Sequence, residues 1–214
     1  MVHYHKTTEL PDVIPVFPLP GAMLFPRWEL PLNIFEPRYL NMFDDAMRSE
    51  RIIGMIQSLG GPRDRPNLAR VGCAGRITRY SETEDGRYLV TLSGVCRFAV
   101  TRELDAILPY RQVRAGWDEF AGDLHAAPET GLPERAELVR ALRTYTSALG
   151  LQADWSAVED APIETLVHAL AAGCPFAPAE KQALLEAVSL GDRARVLIAL
   201  LEIGGSGDDT GPVQ

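Results

Sequence analysis

The sequence predicts an α+β fold, in which a closed or semi-closed β-sheet with one inserted helix is followed by a helical bundle. Two observations support this prediction. In the first half, short apolar or alternating runs are separated by turn residues, and one helical periodicity interrupts them. In the second half, alanine becomes frequent and apolar residues recur at helical spacing. Many short strands with turns at close intervals are typical of a sheet that closes on itself.

The change in pattern also divides the chain into segments. A β-rich part over 1–121 is followed by a linker over 122–133, by a helical bundle over 134–204 and by a tail over 205–214. The tail is expected to be disordered because its composition cannot bury enough apolar surface. A chain of 214 residues can build a core without a disulfide or a metal.

Strands come first along the chain. Val13–Phe17 is an apolar run ended by Pro18, and Ala22–Phe25 is predicted as a second short strand. Residues 28–34 alternate between apolar and polar, which predicts a half-buried strand. Because Pro31 cannot donate to a ladder, we expect this strand at a sheet edge or at a bulge.

The inserted helix is predicted over about 37–49. Pro37 is preset for a first helical turn, and the Glu36 carboxylate is expected to meet the free N–H groups at that end of the helix. The residues at helical spacing on its apolar face are Tyr39, Phe43, Ala46 and Met47.

Further strands are predicted over 52–57, 68–80, 88–100 and about 110–117. Asp85-Gly86 predicts a hairpin turn, and Gly94 predicts a bulge or a bend. The Gly- and Pro-rich stretch 59–68 is predicted to be a loop. The bundle is predicted to have four helices. The first ends at Gly150, the second covers 163–172, the third begins at Pro178 and the fourth covers 193–203, with Gly191-Asp192 between the third and the fourth.

Charge and cysteine content exclude several classes of protein. Through Trp117 the chain has 15 Lys/Arg and 13 Asp/Glu, and beyond it 6 and 16, so an acidic second half argues against nucleic-acid binding. No apolar run is long enough to span a membrane, and the N-terminus lacks the apolar segment of a secretory signal. Cys73, Cys96 and Cys174 form no C-x-x-C pair, so we expect reduced, buried cysteines in a cytoplasmic protein.

Catalytic motifs are absent from the sequence. It contains no G-x-x-x-x-G-K-[ST], H-E-x-x-H, G-x-S-x-G or S-x-x-K. The four histidines, which are His3, His5, His125 and His168, have no nucleophile or metal-ligand partner at motif spacing. We therefore expect no catalytic residue, no cofactor and no metal.

Apolar surface is the remaining functional signal. The stretch MLFPRW places Met23, Phe25 and Trp28 around a proline that breaks strand pairing. Since so short a segment cannot easily turn all these side chains inward, an exposed patch for a partner is one interpretation. The alternative, that these side chains pack into the sheet, stays open.

Ordered sequence blocks in this chain resemble the Lon protease N-terminal, or substrate-binding, domain. The blocks are VIPVFPLPGAMLFPRWELPLNIFEPRYLNMFDDAM, IIGMIQ, LARVGCAGRITRY and DGRYLVTLSGVCRFAV, and together they cover about 11–105. The resemblance implies a six-stranded, PUA-like pseudo-barrel with one inserted helix, followed by a helical bundle. It also implies a stand-alone member that lacks the ATPase and Ser-Lys protease domains of full-length Lon.

From the residues and the resemblance together we predict a non-catalytic protein-binding module. It would recognise exposed apolar segments of client or partner proteins, and a separate protease or ATPase is a candidate partner. We expect a cytoplasmic monomer or weak homodimer that binds no nucleic acid and no membrane. Aromatic and arginine side chains often dominate interface energy. The predicted binding residues are Met23, Phe25, Arg27, Trp28, Phe35, Glu36, Arg38, Tyr39, Arg63 and Arg65.

Two other classes of function stay open at the level of sequence. One is a small hydrolase or peptidase-like enzyme with an unrecognised active site between the two parts and Cys73 or Cys96 as its nucleophile. The other is a structural subunit of a larger assembly.

Overall fold

A computed structural model describes residues 4–62, 65–105, 107–128 and 130–206 of the chain. The chain forms two compact units, Met1–Ala126 and Ala127–Gln214, which we call the β unit and the helical unit. The first contains a six-stranded sheet and the second contains helices, so the predicted α+β class is confirmed. The predicted domain boundaries themselves stay a prediction.

The β unit follows the predicted order of elements with small shifts at their ends. Its strands are β1 (Val13–Pro18), β2 (Glu29–Ile34), β3 (Ile52–Ile56), β4 (Val71–Glu82), β5 (Tyr88–Glu103) and β6 (Arg111–Gly116). The inserted helix α1 is Pro37–Met47, and short 3-10 helices cover Thr7–Glu9 and Asp118–Leu124.

The sheet closes through β5. Its strand order is β2-β5-β4-β3-β1-β6, and β5 also pairs with β6. The strands β5, β4, β3, β1 and β6 therefore form a ring, with β2 outside it. Strand β5 is long enough to pair with β2 through 88–93 and with β6 through 99–103. Strand β2 pairs only with β5 among the described strands, so Pro31 lies on an edge strand as predicted.

The segment Ala22–Phe25 is not a strand, and this prediction was wrong. The chain instead folds against β5 at Gly94, whose N–H donates to Trp28 O at 2.8 Å and whose O accepts from Arg27 N at 2.8 Å. A Cβ at Gly94 would lie 1.9 Å from Phe25 O, so this approach requires glycine. The register shift in β4–β5 pairing beside Gly94 confirms the predicted bulge.

Helix α1 begins at Pro37 as predicted, but Glu36 does not cap it with its side chain. The Glu36 carboxylate instead accepts from Arg38 Nε at 3.0 Å. Because the proline supplies no N–H at the first helical position, fewer donors require a cap there. Of the predicted apolar face, Tyr39, Phe43 and Ala46 are buried, whereas Met47 is half-buried. Met42, which was not predicted, is buried as well.

The helical unit contains α2 (Arg135–Leu149), α3 (Trp155–Asp160), α4 (Ile163–Gly173), α5 (Pro178–Glu186) and α6 (Leu190–Gly205). Helix α3 was not predicted, since it buries only Val158 and so has no apolar periodicity; the Asp154 side chain caps it by accepting from Ala157 N. Gly191-Asp192 was predicted to separate two helices but lies inside α6. A Cβ at Gly191 would lie 2.5 Å from Gly131 O, so glycine here allows close packing.

Two predicted irregular segments differ from expectation. Residues 122–124, assigned to a linker, belong to the 3-10 helix Asp118–Leu124, because Asp123 forms an ion pair with Arg97 of β5 at 2.7 Å. Of the predicted tail, Gly205 ends α6, and 207–214 lie outside the described residues.

Candidate functional site

A cleft of about 560 Å³ opens on the β unit, and it gathers residues from five separate parts of the chain. Its walls come from the end of β1, the start of α1, the loop after β3, the end of β5 and the segment leading into β6. Those described residues are Phe17, Pro18, Leu19, Pro20, Glu36, Arg38, Tyr39, Ser58, Gly60, Gly61, Pro62, Arg65, Pro66, Glu103, Leu108, Pro109, Tyr110 and Arg111.

Two aromatic rings in contact with each other, which we call the floor, line the cleft. Phe17 near the end of β1 and Tyr39 in the first turns of α1 have ring centroids 4.3 Å apart, at an interplanar angle of 56°. Both side chains are almost fully buried. Such a tilted pair is a favourable aromatic geometry, so these rings form a rigid apolar surface.

The corner between β2 and α1 forms one polar wall. The Glu36 carboxylate accepts from Arg38 Nε at 3.0 Å and lies 2.8 Å from Arg38 Nη2. The same guanidinium lies over the Tyr39 ring, 4.6 Å from its centroid. Stacking and ion pairing together hold Arg38 at the edge of the cleft, although its side chain is still 37% exposed.

Glu103 organises a second polar part of the lining. Its carboxylate accepts from Arg111 Nε at 2.8 Å and Arg111 Nη2 at 2.7 Å, and it lies 3.5 Å from Arg65 Nη2. Arg111 also donates to the Pro66 carbonyl. These contacts tie the loop 59–68 to the ends of β5 and β6.

Exposed apolar side chains, which we call the rim, occur in the lining of the cleft and next to lining residues in the chain. Leu108, which lines it, is 38% exposed, and its neighbour Ile107 is 99% exposed. Leu59, one residue before the lining residue Gly60, is 55% exposed. Exposed apolar residues next to a concave site are a feature of surfaces that bind partners.

The structure brings together four of the predicted binding residues and separates the others. Glu36, Arg38, Tyr39 and Arg65 line the cleft. Arg63 lies outside the described residues.

The predicted exposure of the MLFPRW patch is wrong. Met23 is 2% exposed and Phe25 is 0% exposed, because this segment folds inward over Gly94. Trp28 is half-buried. The core alternative, which the sequence left open, applies to the first two side chains.

Arg27 and Phe35 are exposed but do not line the cleft. The Arg27 side chain donates to the backbone carbonyls of Asp123 and His125. Phe35 is 62% exposed, with the Arg87 guanidinium 5.8 Å from its ring centroid. Both side chains therefore contact other parts of the β unit.

Sequence reasoning missed Phe17, Glu103, Leu108, Tyr110 and Arg111. They come from three distant stretches, and only closure of the sheet brings them to one cleft. The exposed Ile107-Leu108 pair between two predicted strands was the one local signal that could have indicated part of this wall.

The pKa shifts of the lining residues do not favour acid–base catalysis. Hydrogen bonding to Arg111 lowers the pKa of Glu103, whereas burial raises the pKa of Tyr39 and raises that of Tyr110 to about 12. A general acid or base works best with a pKa near the working pH. These three shifts all lead away from neutrality.

The cysteines proposed as alternative nucleophiles are inaccessible. Cys73 and Cys96 are both 0% exposed. Burial, followed by the nearby Asp123 carboxylate, raises the pKa of the Cys96 thiol to about 12, which disfavours the reactive thiolate. Within the described ranges, no group of three His, Cys, Asp or Glu side chains is placed to hold a metal ion.

Protonation of Glu103 is expected to loosen the loop 59–68. The pKa of Glu103 is lowered in the folded state. Its ion pairs therefore contribute their full stability at pH values above the ordinary pKa of Glu, about 4.3, and this stability is lost as the pH falls through the lower folded-state pKa. In NMR titrations, the amide signals of Leu59 and Asn67, whose N–H groups hydrogen-bond within the loop, should shift with a midpoint below about 4.3.

Glu103→Gln should abolish that titration and speed amide exchange in the loop at pH 7. Glu29→Gln is the control, because Glu29 lies 3.9 Å from Arg79 in an exposed pair that does not line the cleft. Unchanged loop exchange in the Glu103 variant would contradict this role.

Comparison with known proteins identifies a family. The family model described as "ATP-dependent protease La (LON) substrate-binding domain" matches residues 13–202. Among curated relatives, Lon protease 2 of Myxococcus xanthus is 24% identical over 90% of this chain, and Lon protease 2 of Sorangium cellulosum is 28% identical over 89%. The chain spans about a quarter of the length of these relatives, 24% in each case.

Solved structures share the fold. The Lon N-terminal domain protein from Xanthomonas campestris matches with a TM-score of 0.60 at 21% identity, covering 87% of this chain and 97% of that one. The N-terminal domain of Mycobacterium avium complex Lon protease matches with a TM-score of 0.60 at 17% identity, covering 92% and 99%. At such identities the likeness establishes the fold alone.

In the described part of the chain, no helix combines the length and apolarity needed to cross a membrane.

Proposed function

The chain belongs to the family of the substrate-binding domain of the ATP-dependent protease La (Lon), and we propose that it binds apolar segments of other proteins in the cleft of its β unit. The observation that supports this most is the combination of an aromatic floor with an exposed apolar rim. Phe17 and Tyr39 form the floor, and Leu108 is part of the rim.

The size of the cleft suits a short stretch of polypeptide. A volume of about 560 Å³ falls in the range of cavities that accept a ligand of a few side chains. Proline side chains from three segments, among them Pro18, Pro62 and Pro109, add apolar surface that loses little entropy when a ligand covers it. A preformed apolar site of this kind stabilises a bound apolar side chain mainly by removing its surface from water.

Leu108→Ser combined with Ile107→Ser is expected to weaken binding of an apolar peptide about tenfold, which corresponds to about 1.4 kcal/mol. The reason is that the variant removes apolar rim surface while leaving the floor intact. Fluorescence anisotropy of a fluorescein-labelled peptide with a Leu-Phe-Leu core in Gly-Ser flanks measures the affinity.

The matched control is Leu151→Ser combined with Ile203→Ser. Leu151 is 43% exposed outside regular secondary structure, and Ile203 is 69% exposed in α6, both in the helical unit. The control should bind as the parent chain does. Equal loss of affinity in the two double variants, or no binding of the peptide by the parent chain, would refute the proposal.

The finer parts of this proposal concern compartment and partners. We place the protein in the cytoplasm, where its three buried, free cysteines would stay reduced. A separate protease or ATPase is the proposed recipient of the bound segment. Support for this comes from the curated relatives, which are Lon proteases.

A further inference from the structure

The charges that line the cleft differ in sign from the charge of the chain as a whole. The full sequence has a formal net charge of −8. Among the described lining residues, the guanidinium groups of Arg38, Arg65 and Arg111 outnumber the carboxylates of Glu36 and Glu103. An excess of positive charge in a partly enclosed site attracts anionic groups more strongly than the same charge on an open surface.

Two of these arginines keep donors that face no acceptor in the described part of the chain. Arg38 uses Nε and Nη2 on Glu36, which leaves Nη1 without a partner among the described residues. Arg65 makes one contact of 3.5 Å with Glu103, at the distance limit for a hydrogen bond, and its side chain is 66% exposed. Arg111, in contrast, is committed to Glu103 and to the Pro66 carbonyl.

These donors and the apolar surface line the same small cleft. Arg38 stacks on Tyr39, whose ring is part of the aromatic floor, so a guanidinium edge and an apolar surface lie next to each other. A ligand that fills about 560 Å³ therefore meets both within a few residues of its own length. Guanidinium groups pair well with carboxylates, and such charge-assisted hydrogen bonds are stronger than neutral ones.

We propose that the cleft selects protein segments in which an Asp or Glu lies next to a large apolar side chain. This inference rests on the proposed function and specifies its substrate class. The apolar side chain covers Phe17 and Tyr39, and the carboxylate accepts hydrogen bonds from Arg38 and Arg65. Segments in which a lysine replaces the acid meet like charge and are rejected.

A set of four fluorescein-labelled peptides tests the inference by anisotropy at low and at high salt. All have a Leu-Phe-Leu core in Gly-Ser flanks, and the residue beside the core is Asp, Asn, Lys or Ser. We expect the Asp peptide to bind about tenfold more tightly than the Asn peptide, and the Lys peptide to bind most weakly. The preference for Asp should shrink as ionic strength rises, since salt screens exposed charges.

Arg65→Gln should reduce the preference for Asp over Asn to about twofold or less, because it removes one of the guanidinium groups that would pair with the carboxylate. The matched control is Arg79→Gln, because Arg79 is 74% exposed, pairs with Glu29 at 3.9 Å and does not line the cleft. The control should keep the full preference.

The outcomes separate the two proposals. Equal binding of the Asp, Asn and Lys peptides overturns the charge inference and leaves apolar binding intact. An Asp preference that survives both Arg65→Gln and Arg38→Gln also overturns it, because the carboxylate must then bind elsewhere. Failure of all four peptides to bind overturns both proposals.

Discussion

Phe25→Ala is expected to destabilise the β unit by about 3–5 kcal/mol, the usual cost of replacing a buried phenylalanine with alanine. The ring is 0% exposed, and its backbone lies against β5 at Gly94, where the close approach leaves little freedom to fill the resulting cavity. Small domains have only about 5–15 kcal/mol of stability, so this variant should unfold at a clearly lower urea concentration than the parent chain.

Phe35→Ala provides the matched control for this prediction. The Phe35 side chain is 62% exposed, so its truncation should change the free energy of unfolding by about 0.5 kcal/mol or less. Urea unfolding followed by tryptophan fluorescence measures the two variants, both made in a Trp155→Phe background so that only Trp28 and Trp117 of the β unit report. Equal stability of the two variants would show that the MLFPRW segment is not part of the core.

The segment that contains Phe25 shows both what the sequence could predict about the strands and what it could not. Apolar runs and alternating patterns located every described strand of the β unit, because both depend on which side chains of a strand are buried. They also assigned Ala22–Phe25 to a strand, and there they failed. A continuous apolar run cannot distinguish a buried strand from a buried irregular segment. The deciding contact, between the segment and Gly94, spans about seventy residues of chain, so no local pattern reports it.

The candidate site was predictable only in part for the same reason. The corner of Glu36, Arg38 and Tyr39 was visible because a strand end, a proline and a helix start are all local signals. Two other lining residues, Glu103 and Arg111, come from strands whose pairing closes the ring. Side chains that meet through closure share no spacing in the sequence, so only the structure identifies them.

Asp123→Ala is expected to cost about 3–5 kcal/mol, because it leaves the Arg97 guanidinium buried without its carboxylate. The two side chains are only 11% and 5% exposed. Arg97 Nε donates to Asp123 Oδ2 at 2.7 Å, Nη2 donates to Oδ1 at 2.8 Å, and the Arg97 backbone N–H donates to Oδ2 at 3.0 Å. The guanidinium also lies 4.7 Å from the centroid of the Phe120 ring.

A double variant distinguishes the loss of a favourable pair from the exposure of a buried charge. Arg97→Met combined with Asp123→Leu removes both charges, and replacing a buried ion pair with apolar residues is often neutral. We therefore expect the double variant to be more stable than Asp123→Ala in urea unfolding, although it removes more interactions. The single variants Arg97→Met and Asp123→Leu are measured as well. If the destabilisation of the double variant equalled the sum of theirs, the two side chains would contribute through independent contacts. In that contrary case, amide exchange in Asp118–Leu124 should rise equally in Asp123→Ala and in the double variant, since this 3-10 helix is held to β5 through Asp123.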